Sequence, residues 1–206
     1  RQPPMLDRAA LALLRPGVDR LARGLVALGV GADVLTLAGF ALGLGAAVAI
    51  ALSQFGLGVA LLLASRLCDG LDGAVARLTR PTDRGAFLDI ALDFLFYASI
   101  PLACAVSDPQ ANALAAAVLL AAFIGTGSSF LAFAIFAERR GLKNEAYPSK
   151  GLYYLGGLTE ATETIVCFVL MGLWPQAFAP LAYGFAALCA LTIATRIVGG
   201  WRVLRP

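Results

Sequence analysis

The chain has 206 residues, 60% of them hydrophobic and 14% charged, where a soluble domain carries about 45–50% and about 25%; that excess excludes a water-soluble globule and calls for lipid around it. A histidine count of zero removes Ser-His-Asp triads, histidine nucleophiles and His-ligated zinc. A net charge of +3 is too small to point to a nucleic-acid partner.

From Met5 to Leu28, Arg8, Arg15, Arg20 and Arg23 alternate with Leu6, Leu13, Leu14, Leu21 and Leu25, with Pro16 between them. This spacing predicts an amphipathic segment over 5–28 that lies on the membrane surface, its arginines near lipid phosphates. A frayed basic tail is the alternative. The spread of the charges, with no clean apolar stretch or cleavage site, argues against a signal peptide.

A hydrocarbon core about 30 Å thick needs about 20 apolar residues of helix. That ruler predicts six spans: Val34–Ser53, Leu57–Leu78, Gly85–Val106, Ala111–Ala137, Leu152–Leu173 and Phe178–Val198. The expected fold is all-α: a single membrane domain over 1–206, with a six-helix bundle at 34–198 and a cytoplasmic tail at 199–206. The turns after spans one, three and five hold no Lys or Arg. Arg80, Arg84, Arg139, Arg140, Lys143, Lys150, Arg202 and Arg205 lie on the side of the N-terminal arginines. The positive-inside bias therefore predicts cytoplasmic termini. Richness in Ala, Gly, Leu and Arg fits a bacterial gene, hence a multi-pass protein of the inner membrane. Cys68, Cys104, Cys167 and Cys189 stand singly in apolar stretches and read as small buried hydrophobes.

Ionisable side chains inside a span are costly and point to function. Here they cluster. The second span carries Arg66, Asp69, Asp72, Gly73, Ala76 and Arg77 within one arc of roughly 140°. The third opens with Gly85, Asp89 and Asp93 on a single i, i+4, i+8 stripe. The short connection predicts antiparallel neighbours whose stripes face one cavity near the cytoplasmic surface. Four converging carboxylates require protonation or cations between them. Oxygen ligands without His or Cys select Mg²⁺, Mn²⁺ or Ca²⁺, and two divalent ions would balance four acids and bridge a diphosphate. Gly73, Ala76 and Gly85 leave room for a ligand, and Arg77 can neutralise a phosphate oxygen. The alternative is an intramembrane salt-bridge network among Arg66, Arg77 and the aspartates.

The run Asp69-x2-Asp72-Gly73-x2-Ala76-Arg77-x7-Gly85-x3-Asp89-x3-Asp93 resembles the signature of the CDP-alcohol phosphotransferase family, with every defined position filled. The resemblance implies an integral membrane enzyme of phospholipid biosynthesis that cleaves a CDP-linked donor at its diphosphate, transfers the phospho-alcohol part to an acceptor hydroxyl and releases CMP. It implies that Asp69, Asp72 and Asp89 hold divalent metal (two ions of Mg²⁺ or Mn²⁺), and that Asp93 also approaches the metals and is the base. Gly73, Ala76, Arg77 and Gly85 match positions contacting the cytidine diphosphate. Asp33 and Thr36, with Gly39, resemble a looser family segment lining the nucleotide site, although Asp33 also reads as a helix N-cap. The family implies a homodimer; Gly39-x3-Gly43 can pack helices between subunits or within one bundle.

CDP-diacylglycerol with a small alcohol acceptor is the expected scheme. Transfer of a CDP-linked head group to a lipid alcohol uses the same signature. Candidate acceptor contacts are Arg139, Lys143, Glu160, Glu163 and Arg196. The two carboxylates depart from an inositol-phosphate-type pocket; they pair with Arg196 or favour a neutral or amine-bearing acceptor. Rival classes are a membrane prenyltransferase, an intramembrane cation transporter and a noncatalytic scaffold.

Overall fold

The computed structural model describes residues 6–141 and 159–205, with side chains from residue 16 onward. Among these residues every regular element is helical: α1 (Leu6–Ala27), α2 (Ala32–Ala51), α3 (Phe55–Leu78), α4 (Asp83–Ser107), α5 (Pro109–Arg139), α6 (Ala161–Leu173), a single 3₁₀ turn (Pro175–Ala177) and α7 (Phe178–Val203). Four helices among the described residues are long and apolar enough to cross a membrane: α2, α4, α5, and α7 with its preceding turn. At 24 residues α3 is also long enough, but the charges in its C-terminal half set it apart. α6 is a shorter apolar helix of 13 residues.

Local chemistry sets the boundaries. Gly29, at φ +77°, ends α1 in the left-handed region, its amide donating to Val26 O at 3.0 Å while the Val30 amide donates to Leu25 O at 3.0 Å. Asp108 caps α5 by accepting from the Ala111 amide at 3.1 Å, with Pro109 at the first helical position, where no amide proton is needed.

The structure revises one alternative and two boundaries. Gly31, in extended conformation, is the N-cap of α2, so Asp33 falls in the first turn instead. The described part of the fifth span starts at Ala161 because Glu160 and Glu163 form a reciprocal capping box there; positions 152–158 lie outside the described residues. The sixth span continues to Val203, so most of the expected tail is helix. Gly200 keeps it docked on α5, for a Cβ there would lie 3.0 Å from the Phe133 ring.

The core is aromatic. Phe96 and Tyr97 of α4, Phe123 of α5, Phe168 of α6 and Phe185 of α7 meet with ring centroids 5.5–6.5 Å apart. Outward, leucines such as Leu37, Leu57, Leu102, Leu114 and Leu191 are exposed on five helices. Lipid, not water, suits such a surface. α1 packs across α3: Ala22, fully buried, joins Leu35, Leu71, Ala74 and Val75 in a second apolar cluster.

Candidate active site

The break between α3 and α4 is written in Arg80-Pro81-Thr82. Pro81 has no amide proton and disfavours helix at Arg80. Thr82, extended at φ −131° and ψ 150°, caps α4 by accepting from the Gly85 amide at 3.1 Å. The chain thus reverses, and the acids of α3's last turns and α4's first turns come to one end of the bundle.

They arrive there differently from the expectation that α3 and α4 pack directly. The two backbones scarcely touch; α2 lies against both. Gly39 and Gly43 make this possible. A Cβ on Gly39 would stand 3.0 Å from Cys68 Cβ, and one on Gly43 would stand 2.6 Å from the Phe96 ring. The Gly39-x3-Gly43 stripe therefore serves packing within the chain. The gap left between α3 and α4 is where bulky, mutually repelling charged side chains can be accommodated.

Thr36, Gly39, Phe40, Arg66, Asp69, Asp89, Leu92 and Asp93 line a small open cleft. Asp69, Asp89 and Asp93 each direct one carboxylate oxygen into it, and these oxygens lie within 4.8 Å of one another. Asp72 is not part of this trio: buried, it accepts from Thr36 Oγ1 at 2.6 Å. Arg66 reaches in from α3, its Nη1 donating to Asp69 Oδ1 at 3.2 Å and Asp93 Oδ1 at 2.7 Å. The salt-bridge alternative read from the sequence is thus present for Arg66, alongside the convergence of the acids.

Around the rim, Arg84 pairs with Asp33, tying the start of α4 to the start of α2. A Cβ on Gly85 would lie 3.3 Å from Asp33 Oδ1, and one on Gly73 would lie 3.3 Å from Arg77 Nη1. The Arg77 guanidinium therefore lies over Gly73, with Ala76 half-buried beside it. Phe40 and Leu92 escaped sequence reasoning, since an apolar residue in an apolar span carries no signal of its own.

None of the acceptor candidates among the described residues lines this cleft. Arg139 is exposed in the last turn of α5, its guanidinium 5.9 Å from the Phe136 ring centre. Arg196 is buried on α7 and donates to Thr126 O at 3.1 Å. Glu160 and Glu163 are engaged in the cap of α6. Lys143 lies outside the described residues. Among the described residues the four cysteines are free thiols, three of them buried.

The oxygen trio fits a hard divalent cation. Metal–oxygen bonds of about 2.0–2.6 Å reach between oxygens so spaced, and the donor set holds neither sulfur nor imidazole.

Residues 30–200 match the CDP-alcohol phosphatidyltransferase family. The chain is 49% identical over 201 residues to the inner membrane protein YnjF of Escherichia coli, covering 98% of each chain. It is 39% identical over 94 residues to the archaetidylinositol phosphate synthase of Methanothermobacter thermautotrophicus, covering 45% of this chain and 48% of that one. Its fold is similar to that of the Mycobacterium tuberculosis phosphatidylinositol phosphate synthase PgsA1 in a crystal structure with CDP-DAG bound, with a TM-score of 0.70 at 22% identity over 89% of this chain and 93% of that one. A second PgsA1 structure, in complex with manganese and citrate, gives a TM-score of 0.69 at 22% identity over 89% and 88% of the two chains.

Proposed function

Since the chain belongs to the CDP-alcohol phosphatidyltransferase family, we propose that this phosphotransferase moves a phosphatidyl group from CDP-diacylglycerol to the hydroxyl of a small alcohol, releasing CMP. The observation that carries this reading is the convergence of Asp69, Asp89 and Asp93 within 4.8 Å, three acids of a signature filled at every defined position. A transporter would need no Ala76-Arg77 pair, nor Gly85 at its position, and would usually hold its polar site near the bilayer midplane.

Asp69, Asp89 and Asp93, with Asp72 behind them, are the residues that would hold Mg²⁺ or Mn²⁺. Bound there, the divalent ions would neutralise charge on the diphosphate and on the departing CMP. The remaining chemistry belongs to side chains. Asp93 accepts the proton of the acceptor hydroxyl as its oxygen forms a bond to phosphorus, while the bond from phosphorus to CMP breaks. Arg77, over Gly73, faces a phosphate oxygen; Ala76 and Gly85 admit the nucleotide, with Asp33 and Thr36 at its edge. In-line attack needs no covalent intermediate, so configuration at phosphorus inverts. Retention with a chiral phosphorothioate donor would contradict this step.

In this reading α3 and α6 complete six spans, α1 lies in the headgroup layer, and the whole chain forms one membrane domain of the bacterial inner membrane. The basic ends of α3, α5 and α7 support a cytoplasmic position for the acids and both termini. A homodimer belongs to the same reading, and the mass of the protein in detergent checks it.

The test is CMP release from purified protein given CDP-diacylglycerol, Mg²⁺ or Mn²⁺ and a panel of alcohols, with the product lipid resolved on a thin-layer plate. Metal-dependent CMP release with one new phospholipid is expected. No CMP release with any alcohol, with metal present, overturns the proposal.

A further inference from the structure

A guanidinium inside a membrane helix is costly unless something holds it. Arg66 is held on three sides. Its Nη1 donates to Asp69 and Asp93, its Nη2 donates to Ser65 Oγ at 3.2 Å, and its guanidinium carbon stands 4.0 Å over the ring centre of Phe96, itself fully buried. Ser65 is fixed in turn by donating to Gly39 O at 2.7 Å. The side chain is only 10% exposed, and its buried Nε–H meets no acceptor among the described residues. An arginine placed for pairing alone would offer two nitrogens to one carboxylate. Here one nitrogen spans two carboxylates from different helices while another N–H goes unmet. The position of the charge governs this arrangement more than the number of its bonds.

Resting on the metal site of the proposed function, we infer that Arg66 is a resident cation of the cleft, which competes with the divalent ion for Asp69 and Asp93. While the ion is absent, the guanidinium screens two acids that would otherwise repel across the gap between α3 and α4. When the ion enters, it meets a positive charge on two of the carboxylates it needs, so Arg66 must give up those contacts or repel it. In either case Arg66 lowers divalent affinity while keeping the empty cleft assembled.

The competition is measurable without turnover. Full-length protein in detergent is titrated with Mn²⁺ alone, free Mn²⁺ is followed by its paramagnetic resonance signal, and thermal unfolding is recorded without metal. Arg66→Gln is expected to tighten Mn²⁺ binding by about tenfold, from the loss of one nearby positive charge, and to lower the metal-free Tm. Ser65→Ala, which loosens the guanidinium without touching an acid, is expected to tighten binding by about twofold and decides the matter if Arg66→Gln does not fold. Mn²⁺ uptake by the unaltered chain with equal or weaker uptake by both variants overturns the inference and leaves the metal reading standing. If the unaltered chain and both variants take up no Mn²⁺, the metal reading falls and the inference with it.

Discussion

Thr36 on α2 donates its hydroxyl proton to Asp72 on α3 at 2.6 Å, a bond between two buried side chains that joins neighbouring helices at the rim of the acidic cleft. It ties Asp72 to α2 and holds α2 in register with the signature helix. Thr36→Val keeps the shape and removes the donor, leaving a buried carboxylate oxygen short of a partner at a cost of about 1–3 kcal/mol. Chemical unfolding in detergent should show that loss, and CMP release should fall about tenfold, the equivalent of roughly 1.4 kcal/mol in the barrier.

Asp93 shares Arg66 with Asp69 and lies in the same oxygen trio. Asp93→Asn keeps the shape but cannot take the proton. Turnover should drop by a factor of about 10²–10⁴, while binding of CDP, followed by equilibrium dialysis, stays within a few-fold of the unaltered protein. Retained turnover would remove Asp93 from the role of base.

Gly43→Ala tests the wedge of α2 between its neighbours. The added methyl would stand 2.6 Å from the Phe96 ring and 3.1 Å from Ser65 Oγ, and Phe96 is fully buried. Overpacking of this kind costs about 1–3 kcal/mol. A lowered Tm together with reduced activity is expected, because Phe96 also supports Arg66. An unchanged Tm would show that the ring gives way freely.

Glu163→Gln separates charge from capping at α6. The Glu163 carboxylate accepts from the Glu160 amide at 3.1 Å, and the amide oxygen of Gln serves the same bond. Stability should therefore change by less than about 1 kcal/mol. If the carboxylate selects the acceptor, the ratio of kcat/KM values between amine-bearing and phosphorylated alcohols shifts while the KM for the lipid donor holds. An unmoved ratio would confine Glu163 to the cap.

Helix positions, the turn at Arg80-Pro81-Thr82 and the stripe of Gly85, Asp89 and Asp93 were legible in the sequence because they follow from periodicity and local backbone chemistry. Which helices touch was not. Spacing says which residues share a face of one helix, but whether α3 meets α4 or leaves a gap filled by side chains depends on how far α2 can intrude. The only sequence trace of that intrusion was the small-residue pair Gly39 and Gly43, which reads equally well as a contact between subunits. The rotation of Asp72 toward Thr36 was equally hidden, since a rotamer answers to the nearest donor in space. Asp33 looked like a cap because it opens an apolar run; its first-turn position and its pairing with Arg84 depend on the approach of α4.

Among the described residues, every one that lines the acidic cleft comes from the uninterrupted stretch between Thr36 and Asp93. The cleft is thus carried by three successive helices, while α5, α6 and α7 build the apolar core beside it. A chimera that grafts a different α5–α7 onto this front half should keep its ion and nucleotide requirements while inheriting a new taste in alcohols, so diversification can proceed by exchange of halves.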